Sequence, residues 1–233
     1  MSMPNEPDAV AERYARRAAD DRYSPLRPQV WLTVQERQRA MLRMFNRAGL
    51  HDLSQLRLLE VGCGAGGNLL ELLGLGFAAQ HLCGIELLPH RLALAQQVLP
   101  GAVTLIGGDA LRAEVADSSL DIVMAATVFS SLLDDAFQQQ LAQAMWRWLK
   151  PGGAVLWYDF TVDNPRNPDV RGVPMARLRA LFPHGHLRHE RVTLAPPLAR
   201  AVCRVHPALY GLLNLLPLLR THVLAWIEKP TQR

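Results

Sequence analysis

Two periods of hydrophobic and polar residues alternate along most of the chain. Short apolar runs typical of strands occur at 56–61, 81–86, 102–106, 120–125, 153–160, 186–194 and 222–228. Between the early runs, apolar residues recur at helical spacing over 67–76, 88–99 and 134–149. Strands that alternate with helices indicate right-handed crossovers and a mostly parallel sheet with helices on both faces. We therefore expect an α/β fold.

Two regions lie outside this alternation. Helices are predicted near 8–20 and 28–48, and Gly49 is placed to end the second of them. The segment 197–219, between the last two strands, is strongly apolar but interrupted by two prolines, an asparagine and basic residues. This pattern favours a packed helical pair over a membrane span.

The length of 233 residues suits one α/β domain with added helices. We expect an N-terminal helical cover at 1–50, a core at 51–160, and a C-terminal part at 161–233 that includes the 197–219 insertion. The first fifty residues contain no apolar run typical of a signal peptide, and the three cysteines are scattered without a C-x-x-C pair. A cytoplasmic protein without disulfides or a zinc site is expected.

Charge is distributed unevenly. Residues 51–165 carry 12 acidic and 5 basic side chains, whereas residues 166–233 carry 3 acidic and 11 basic ones. A basic C-terminal third is suited to an anionic acceptor, RNA or lipid headgroups, or is simply a solvated face. Because no RNA-binding motif accompanies the charge, we favour a solvated face and do not expect a nucleic-acid partner. Peripheral contact with a membrane stays open.

A glycine-rich turn follows the first strand. The sequence Glu60-Val-Gly62-Cys-Gly64-Ala-Gly66 leaves the backbone unshielded and lets the N–H groups of the next helix face a ligand. This pattern predicts a loop that binds a nucleotide cofactor. The spacing alone also satisfies the dinucleotide pattern G-x-G-x-x-G, with an acidic Glu86 about twenty residues further on.

Acidic residues follow three successive strands, and they discriminate between cofactors. Glu60, Glu86 and Asp109 suit a cationic cofactor that carries ribose hydroxyls and an adenine amine, whereas a pyrophosphate beside Glu60 would be repelled. The Tyr-x-x-x-Lys pair of short-chain hydride-transfer enzymes is absent, since Trp146 and Ala225 stand four residues before the only two lysines. The alternative for each acid is that it caps the following helix.

These motifs together resemble the class I S-adenosylmethionine-dependent methyltransferases. The matching segments are Glu60–Gly66, Gly84-Ile-Glu86, Gly108-Asp109-Ala110, Leu120–Met124 and Trp146–Gly153. The resemblance implies a Rossmann-like sheet of seven strands with the last one antiparallel, and S-adenosylmethionine as cofactor with S-adenosylhomocysteine as product.

The resemblance also implies roles for individual residues. The turn at Glu60 would surround the methionine and ribose parts, Glu86 would bind the ribose hydroxyls, Asp109 with Ala110 would flank the adenine, and Ala126 or Thr127 would lie near the methyl group. The complete set of expected cofactor contacts is Glu60, Gly62, Cys63, Gly64, Gly66, Asn68, Glu86, Leu87, Gly108, Asp109, Ala110, Ala126 and Thr127.

The acceptor side is predicted less directly. Tyr158 and Asp159 end the fifth strand and are the candidates for proton handling. The N-terminal helices and the 197–219 insertion are expected to cover the acceptor pocket. The expected acceptor contacts are Tyr14, Arg17, Tyr23, Phe129 and Tyr158.

No metal ion is expected. Asp163-Asn164 resembles the Asp-Asn pair of the Mg²⁺-dependent catechol methyltransferases, but those enzymes also need an aspartate after the fourth strand, where this chain has Ala125, Ala126 and Thr127. Methylation of a small molecule, most simply at oxygen, is the favoured function. A saccharide or lipid-linked acceptor and a non-catalytic cofactor-binding regulatory protein are the alternatives, and both a monomer and a homodimer stay open.

Overall fold

The computed structural model describes residues 5–16, 24–165 and 167–231. The described part contains one sheet with the strands β1 (Leu58–Val61), β2 (Leu82–Glu86), β3 (Thr104–Gly107), β4 (Leu120–Ala126), β5 (Leu149–Phe160), β6 (His186–Leu194) and β7 (Arg220–Glu228). The strand order is β3-β2-β1-β4-β5-β7-β6, and β7 runs antiparallel to both of its neighbours. This order confirms the predicted Rossmann-like α/β fold and its antiparallel last strand.

Helices cover both faces of the sheet. The α-helices of the described residues are α1 (Glu6–Ala15), α2 (Pro28–Arg47), α3 (Gly67–Leu75), α4 (Pro89–Val98), α5 (Asp135–Trp148), α6 (Met175–Leu181), α7 (Pro196–Val205) and α8 (Ala208–Asn214). Trp157 of β5 packs in the same cluster as Met145 of α5, whereas its neighbour Leu156 packs with Met41 of α2 and Leu69 of α3. Successive residues of a strand thus reach opposite layers, as the pleat requires.

Some boundaries differ from the predicted ones. Helix α6 was not predicted, because seven residues are too few to show a helical period in the sequence. Strand β5 begins at Leu149 and not at 153, since Leu149 pairs with Leu120 before the register shifts at Ile122. The division of the chain at 50 and 160 stays a prediction.

The 197–219 insertion forms the predicted helical pair. Helix α7 packs against α2 and α8, and α8 packs against β6. Because β6 and β7 meet this insertion at Leu194 and Arg220, it leaves the sheet at the edge where β5 also ends. None of the helices in the described ranges is both long and apolar enough to cross a bilayer.

Candidate functional site

The loop after β1 has the tight geometry that its glycines permit. Gly62 and Gly66 have φ values of 67° and 84°, in the left-handed region. A Cβ atom on Gly62 would lie 2.8 Å from Cγ2 of Val128, and one on Gly66 would lie 2.8 Å from Cδ1 of Leu99. Any side chain at either position would therefore be strained and also crowd its neighbours.

A cavity of about 400 Å³ opens beside this loop, at the carboxyl ends of β1, β2 and β4. Its walls contain most of the residues that the sequence predicted for cofactor and acceptor. The predicted residues that line it are Tyr14, Gly62, Cys63, Gly64, Asn68, Glu86, Leu87, Gly108, Asp109, Ala110, Ala126 and Thr127. The fold thus collects side chains from five separate segments of the chain at one edge of the sheet.

Glu86 ties the first two strand ends together. Its buried carboxylate accepts hydrogen bonds from the backbone N–H of Gly64 at 2.7 Å and of Leu88 at 2.8 Å. Because each carboxylate oxygen has a second lone pair, both oxygens keep acceptor capacity toward the cavity. Glu86 therefore shapes the loop and lines the cavity at the same time.

Glu60 is fully buried behind Asn68. Its Oε1 atom accepts a hydrogen bond from Nδ2 of Asn68 at 2.5 Å, while its Oε2 atom is buried and has no hydrogen-bond partner among the described residues. Burial raises the pKa of Glu60 to about 7, although the hydrogen bond from Asn68 and the charge of Arg37 act in the opposite direction. An unpartnered buried carboxylate oxygen fits a cationic group of a ligand.

Arg37 of α2 fixes the orientation of Asn68. Its Nη2 atom donates to Oδ1 of Asn68 and to Oε1 of Glu71, both at 2.7 Å. With its oxygen occupied in this way, Asn68 presents its amide nitrogen to Glu60. The N-terminal helix α2 is in this manner connected to the acid at the end of β1.

Asp109 has two roles in the structure. Its Oδ1 atom accepts a hydrogen bond from the backbone N–H of Leu111 at 2.9 Å and so caps the short 3₁₀ turn Ala110–Arg112. The residue also lines the cavity. Asp109 therefore does cap the turn, which is the alternative that the sequence left open. Its other carboxylate oxygen takes no part in this cap.

Thr127 directly follows β4 in a strained conformation. Its φ value is 56°, which is uncommon for a β-branched residue. Its backbone N–H donates to the carbonyl of Tyr158 at 2.7 Å, and its hydroxyl donates to the carbonyl of Ala126 at 2.7 Å. Such strain is often found at functional sites, where the surrounding structure holds it in place.

Five of the predicted site residues in the described ranges do not line the cavity: Glu60 and Gly66 on the cofactor side, and Tyr158, Asp159 and Phe129 on the acceptor side. Tyr158 points toward the α2 layer, where its hydroxyl lies 2.8 Å from Oγ1 of Thr193 and burial raises its pKa. Asp159, the next residue, accepts a hydrogen bond from the backbone N–H of Ser130, and burial raises its pKa to about 7. Phe129 is fully buried against Trp157.

The proposed pair of Tyr158 and Asp159 is therefore separated. Because adjacent strand residues face opposite sides of a sheet, the two side chains cannot act on the same bond. The 197–219 insertion likewise contributes no residue to the lining of this cavity, contrary to the expectation that it covers the pocket. Arg17 and Tyr23 lie outside the described residues.

Several lining residues were missed by the sequence analysis. Helix α1 contributes Val10, the segment after β4 contributes Val128 and Ser131, and α4 contributes Arg91. The guanidinium of Arg91 stands 5.3 Å from the ring centre of Tyr14. A sequence signal existed only for Arg91, which lies within two turns of the acidic end of β2.

No metal centre is evident in the described ranges. Within residues 5–16, 24–165 and 167–231, no three His, Cys, Asp or Glu side chains are grouped so that they could hold a metal ion. Asp163 instead accepts a hydrogen bond from the backbone N–H of Gly172 at 2.8 Å. Metal independence stays a prediction.

Comparison with known proteins gives a consistent class. Residues 58–153 match the family described as "Methyltransferase domain". A solved S-adenosylmethionine-dependent methyltransferase from Archaeoglobus fulgidus superimposes with a TM-score of 0.59 at 15% identity, over 85% of this chain and 99% of that one. The overall fold thus resembles that of solved S-adenosylmethionine-dependent methyltransferases.

Curated relatives carry different acceptor names. Phthiotriol/phenolphthiotriol dimycocerosates methyltransferase 1 of Mycobacterium ulcerans is 32% identical over 160 residues, which are 65% of this chain and 57% of the relative. Demethylmenaquinone methyltransferase of Deinococcus radiodurans is 27% identical over 79% of this chain and 75% of the relative. A tRNA N(3)-methylcytidine methyltransferase of Schizosaccharomyces pombe is 28% identical over 47% and 38%.

The chain spans little more than half the length of the first of these relatives. The region that does match includes the whole glycine loop, the three acidic strand ends and strand β4. Residues 58–153 thus match a methyltransferase domain, and the fold of the chain resembles that of a solved S-adenosylmethionine-dependent methyltransferase.

Proposed function

We propose that the chain transfers a methyl group from S-adenosylmethionine to an oxygen atom of a small-molecule acceptor. The observation that supports this proposal is the composition of the cavity wall formed by α1 and the segment after β4. That wall is apolar at Val10, Val128 and Leu132 and carries two hydroxyls, those of Tyr14 and Ser131, whose oxygens are 3.4 Å apart. A small acceptor with a hydroxyl group matches such a wall in size and polarity.

The cofactor is assigned to the other walls. The loop at Gly62 would hold the methionine part, and Glu60, buried behind the lining residue Asn68, would supply the negative charge that attracts its ammonium group. The remaining lone pairs of Glu86 would accept from the ribose hydroxyls. The adenine would lie between Leu87 and Ala110, with its amine near Asp109.

The bound cofactor supplies a methyl group on a sulfonium, which is already an activated leaving group. The chain then has to bind the acceptor, orient it toward the methyl group and exclude water. The only carboxylates among the described residues of the cavity wall are Glu86 and Asp109, at the ribose and adenine positions. We therefore assign no carboxylate base, and we infer an acceptor whose hydroxyl ionises readily, such as a phenol, held by Tyr14 and Ser131.

Affinity for the product should depend on pH in a way that reports Glu60. Because burial raises the pKa of Glu60 to about 7, the carboxylate is ionised only above that pH, where it can pair with the ammonium of S-adenosylhomocysteine. Protonation at lower pH removes that attraction. Calorimetric titration should therefore show weaker binding as the pH falls through about 7. 5′-Methylthioadenosine, which lacks the amino-acid part, should bind with little change.

The Glu60→Gln variant is the control for this effect. It should remove the difference in pH dependence between the two ligands. If S-adenosylhomocysteine bound to the unaltered chain with no change between pH 6 and pH 8, Glu60 would not be the partner of the ammonium group.

A panel of acceptors tests the reaction itself. Phenols, aliphatic alcohols, carboxylic acids, sugars and a tRNA would be incubated with methyl-labelled cofactor, and we expect label in the phenols, in EDTA as well as without it. Exclusive labelling of the carboxylic acids, the sugars or the tRNA would contradict the proposed acceptor. Loss of activity in EDTA that Mg²⁺ restores would contradict the absence of a metal ion.

A lipid-linked or saccharide acceptor is the second candidate. It is favoured by the apolar and basic 197–219 insertion and by the relatives named for dimycocerosates and demethylmenaquinone. A detergent-dispersed quinone or glycolipid in the same panel distinguishes the two, because a cavity suited to a water-soluble phenol should not require the apolar tail for turnover.

A further inference from the structure

The outward surface of the insertion is unusually apolar. Val205, Leu212, Leu215, Leu216 and Leu218 are all exposed, and Leu218 is 89% exposed. They lie within fourteen consecutive residues at the end of α7, in α8 and in the turn after it. We refer to these five side chains as the apolar patch. A concentration of exposed apolar side chains in one short segment generally marks an interaction surface.

The folding of the insertion does not need this patch. A separate buried cluster formed by Leu194, Ala199 and Tyr210 already anchors the insertion to the sheet and to α2. The hydroxyl of Tyr210 donates to Oε2 of Glu36 at 2.7 Å, which adds a buried polar contact to this anchor. The patch is thus the face of the insertion left over after packing.

Positive charge accompanies the apolar patch. The sequence from Arg191 to Ile227 contains no Asp or Glu, and Arg200 and Arg204 are exposed on α7. The inward face of α7 packs on α2 while its arginines stay in solvent, which makes α7 an amphipathic helix with a basic polar face. Because the apolar face of α7 is covered by α2, the side chains that could enter the acyl region of an anionic membrane are those of the apolar patch, with the arginines of α7 at the headgroups.

We propose that the α7–α8 insertion docks the protein on an anionic lipid surface through the apolar patch, with Arg200 and Arg204 at the headgroups. A second copy of the chain fits this surface less well. A twofold contact would bring the arginines of both protomers into one interface, and residues 191–227 offer no carboxylate to compensate them. A lipid surface supplies both the apolar volume and the negative charge.

Sedimentation with vesicles tests this proposal without any acceptor. The full chain should pellet with vesicles of phosphatidylcholine and phosphatidylglycerol, and not with phosphatidylcholine alone. The triple variant Leu212→Gln, Leu215→Gln, Leu218→Gln should reduce the bound fraction by more than about tenfold, because its apolar side chains no longer enter the acyl region. The double variant Arg200→Gln, Arg204→Gln should reduce partitioning by roughly 30-fold at low salt.

Leu94→Gln is the matched control, since Leu94 is an exposed leucine on α4 outside the patch. It should bind vesicles like the unaltered chain. Equal sedimentation of the triple variant, or no sedimentation of the unaltered chain, would overturn the proposal. A dimer in analytical ultracentrifugation that the triple variant converts to a monomer would assign the patch to a second copy of the chain.

Discussion

Replacing Glu86 with Ala is expected to weaken binding of S-adenosylhomocysteine by about 10² to 10⁴-fold. Two charge-assisted hydrogen bonds to the ribose would be lost, each worth about 1.5–3 kcal/mol, and every 1.4 kcal/mol corresponds to a factor of ten. The variant should also unfold at a lower temperature, because the N–H groups of Gly64 and Leu88 lose their acceptor. Calorimetry and thermal melts measure the two effects separately.

Asp134→Ala is the matched control for this experiment. Asp134 also accepts two backbone hydrogen bonds, from Ala136 at 2.7 Å and Phe137 at 3.1 Å, where it caps α5. Its loss should lower the melting temperature without changing affinity for S-adenosylhomocysteine. If the Glu86 variant behaved in the same way as the Asp134 variant, Glu86 would be a structural cap and the ribose would be bound elsewhere.

The sequence was sufficient to predict most of the residues that line the cavity beside the glycine loop. Parallel strands end at one edge of a sheet, so acids that follow successive strands have to lie close together. The glycines at 62 and 66 could be interpreted from the sequence because a tight backbone turn requires residues without a side chain. Each of these features is visible in a short stretch of sequence, and the order of the strands determines where it lies in the folded protein.

The acceptor side could not be predicted in the same way. The position of Tyr158 at the end of β5 suggested a catalytic role, but the pleat sends it to the α2 layer and Asp159 to the other. Arg91 and Ser131 reach the cavity only because α4 and the segment after β4 pack as they do. Those contacts depend on tertiary packing, which leaves no periodic signal in the sequence.

The two N-terminal helices have different relations to the site. Helix α2 is held at the cofactor loop by Arg37, which bonds to Asn68 and Glu71 and whose guanidinium is 5.1 Å from the ring centre of Tyr158. Helix α1 lines the cavity directly, and its Val10 packs in the cluster that includes Leu59 and Val61 of β1. Cofactor binding should therefore depend mainly on the contacts that Arg37 of α2 makes with the cofactor loop. Acceptor turnover should depend mainly on the position of α1.

A buried ion pair fastens α1 over the cavity. Nη2 of Arg13 donates to Oε1 of Glu6 at 2.7 Å and to the carbonyl of Ser131 at 2.9 Å, while Glu6 accepts from the backbone N–H of Leu133 at 2.6 Å. Both side chains are about nine-tenths buried. Breaking a buried pair by removing one partner generally costs about 3–5 kcal/mol, because the other charge stays buried without compensation.

Arg13→Met should therefore release α1 and lower the rate of methyl transfer by 100-fold or more, with less than about a tenfold change in affinity for S-adenosylhomocysteine. Hydrogen exchange should show faster exchange of the α1 amides even before an acceptor is found. The double variant Arg13→Met, Glu6→Gln should restore much of the protection, because glutamine still accepts from Leu133 and leaves no unpaired charge. Arg16→Met is the control, since its pair with Asp169 is exposed and worth little. Unchanged α1 exchange in Arg13→Met would mean that the apolar contacts of Val10 alone hold the helix, and the role of the ion pair in closing the cavity would have to be abandoned.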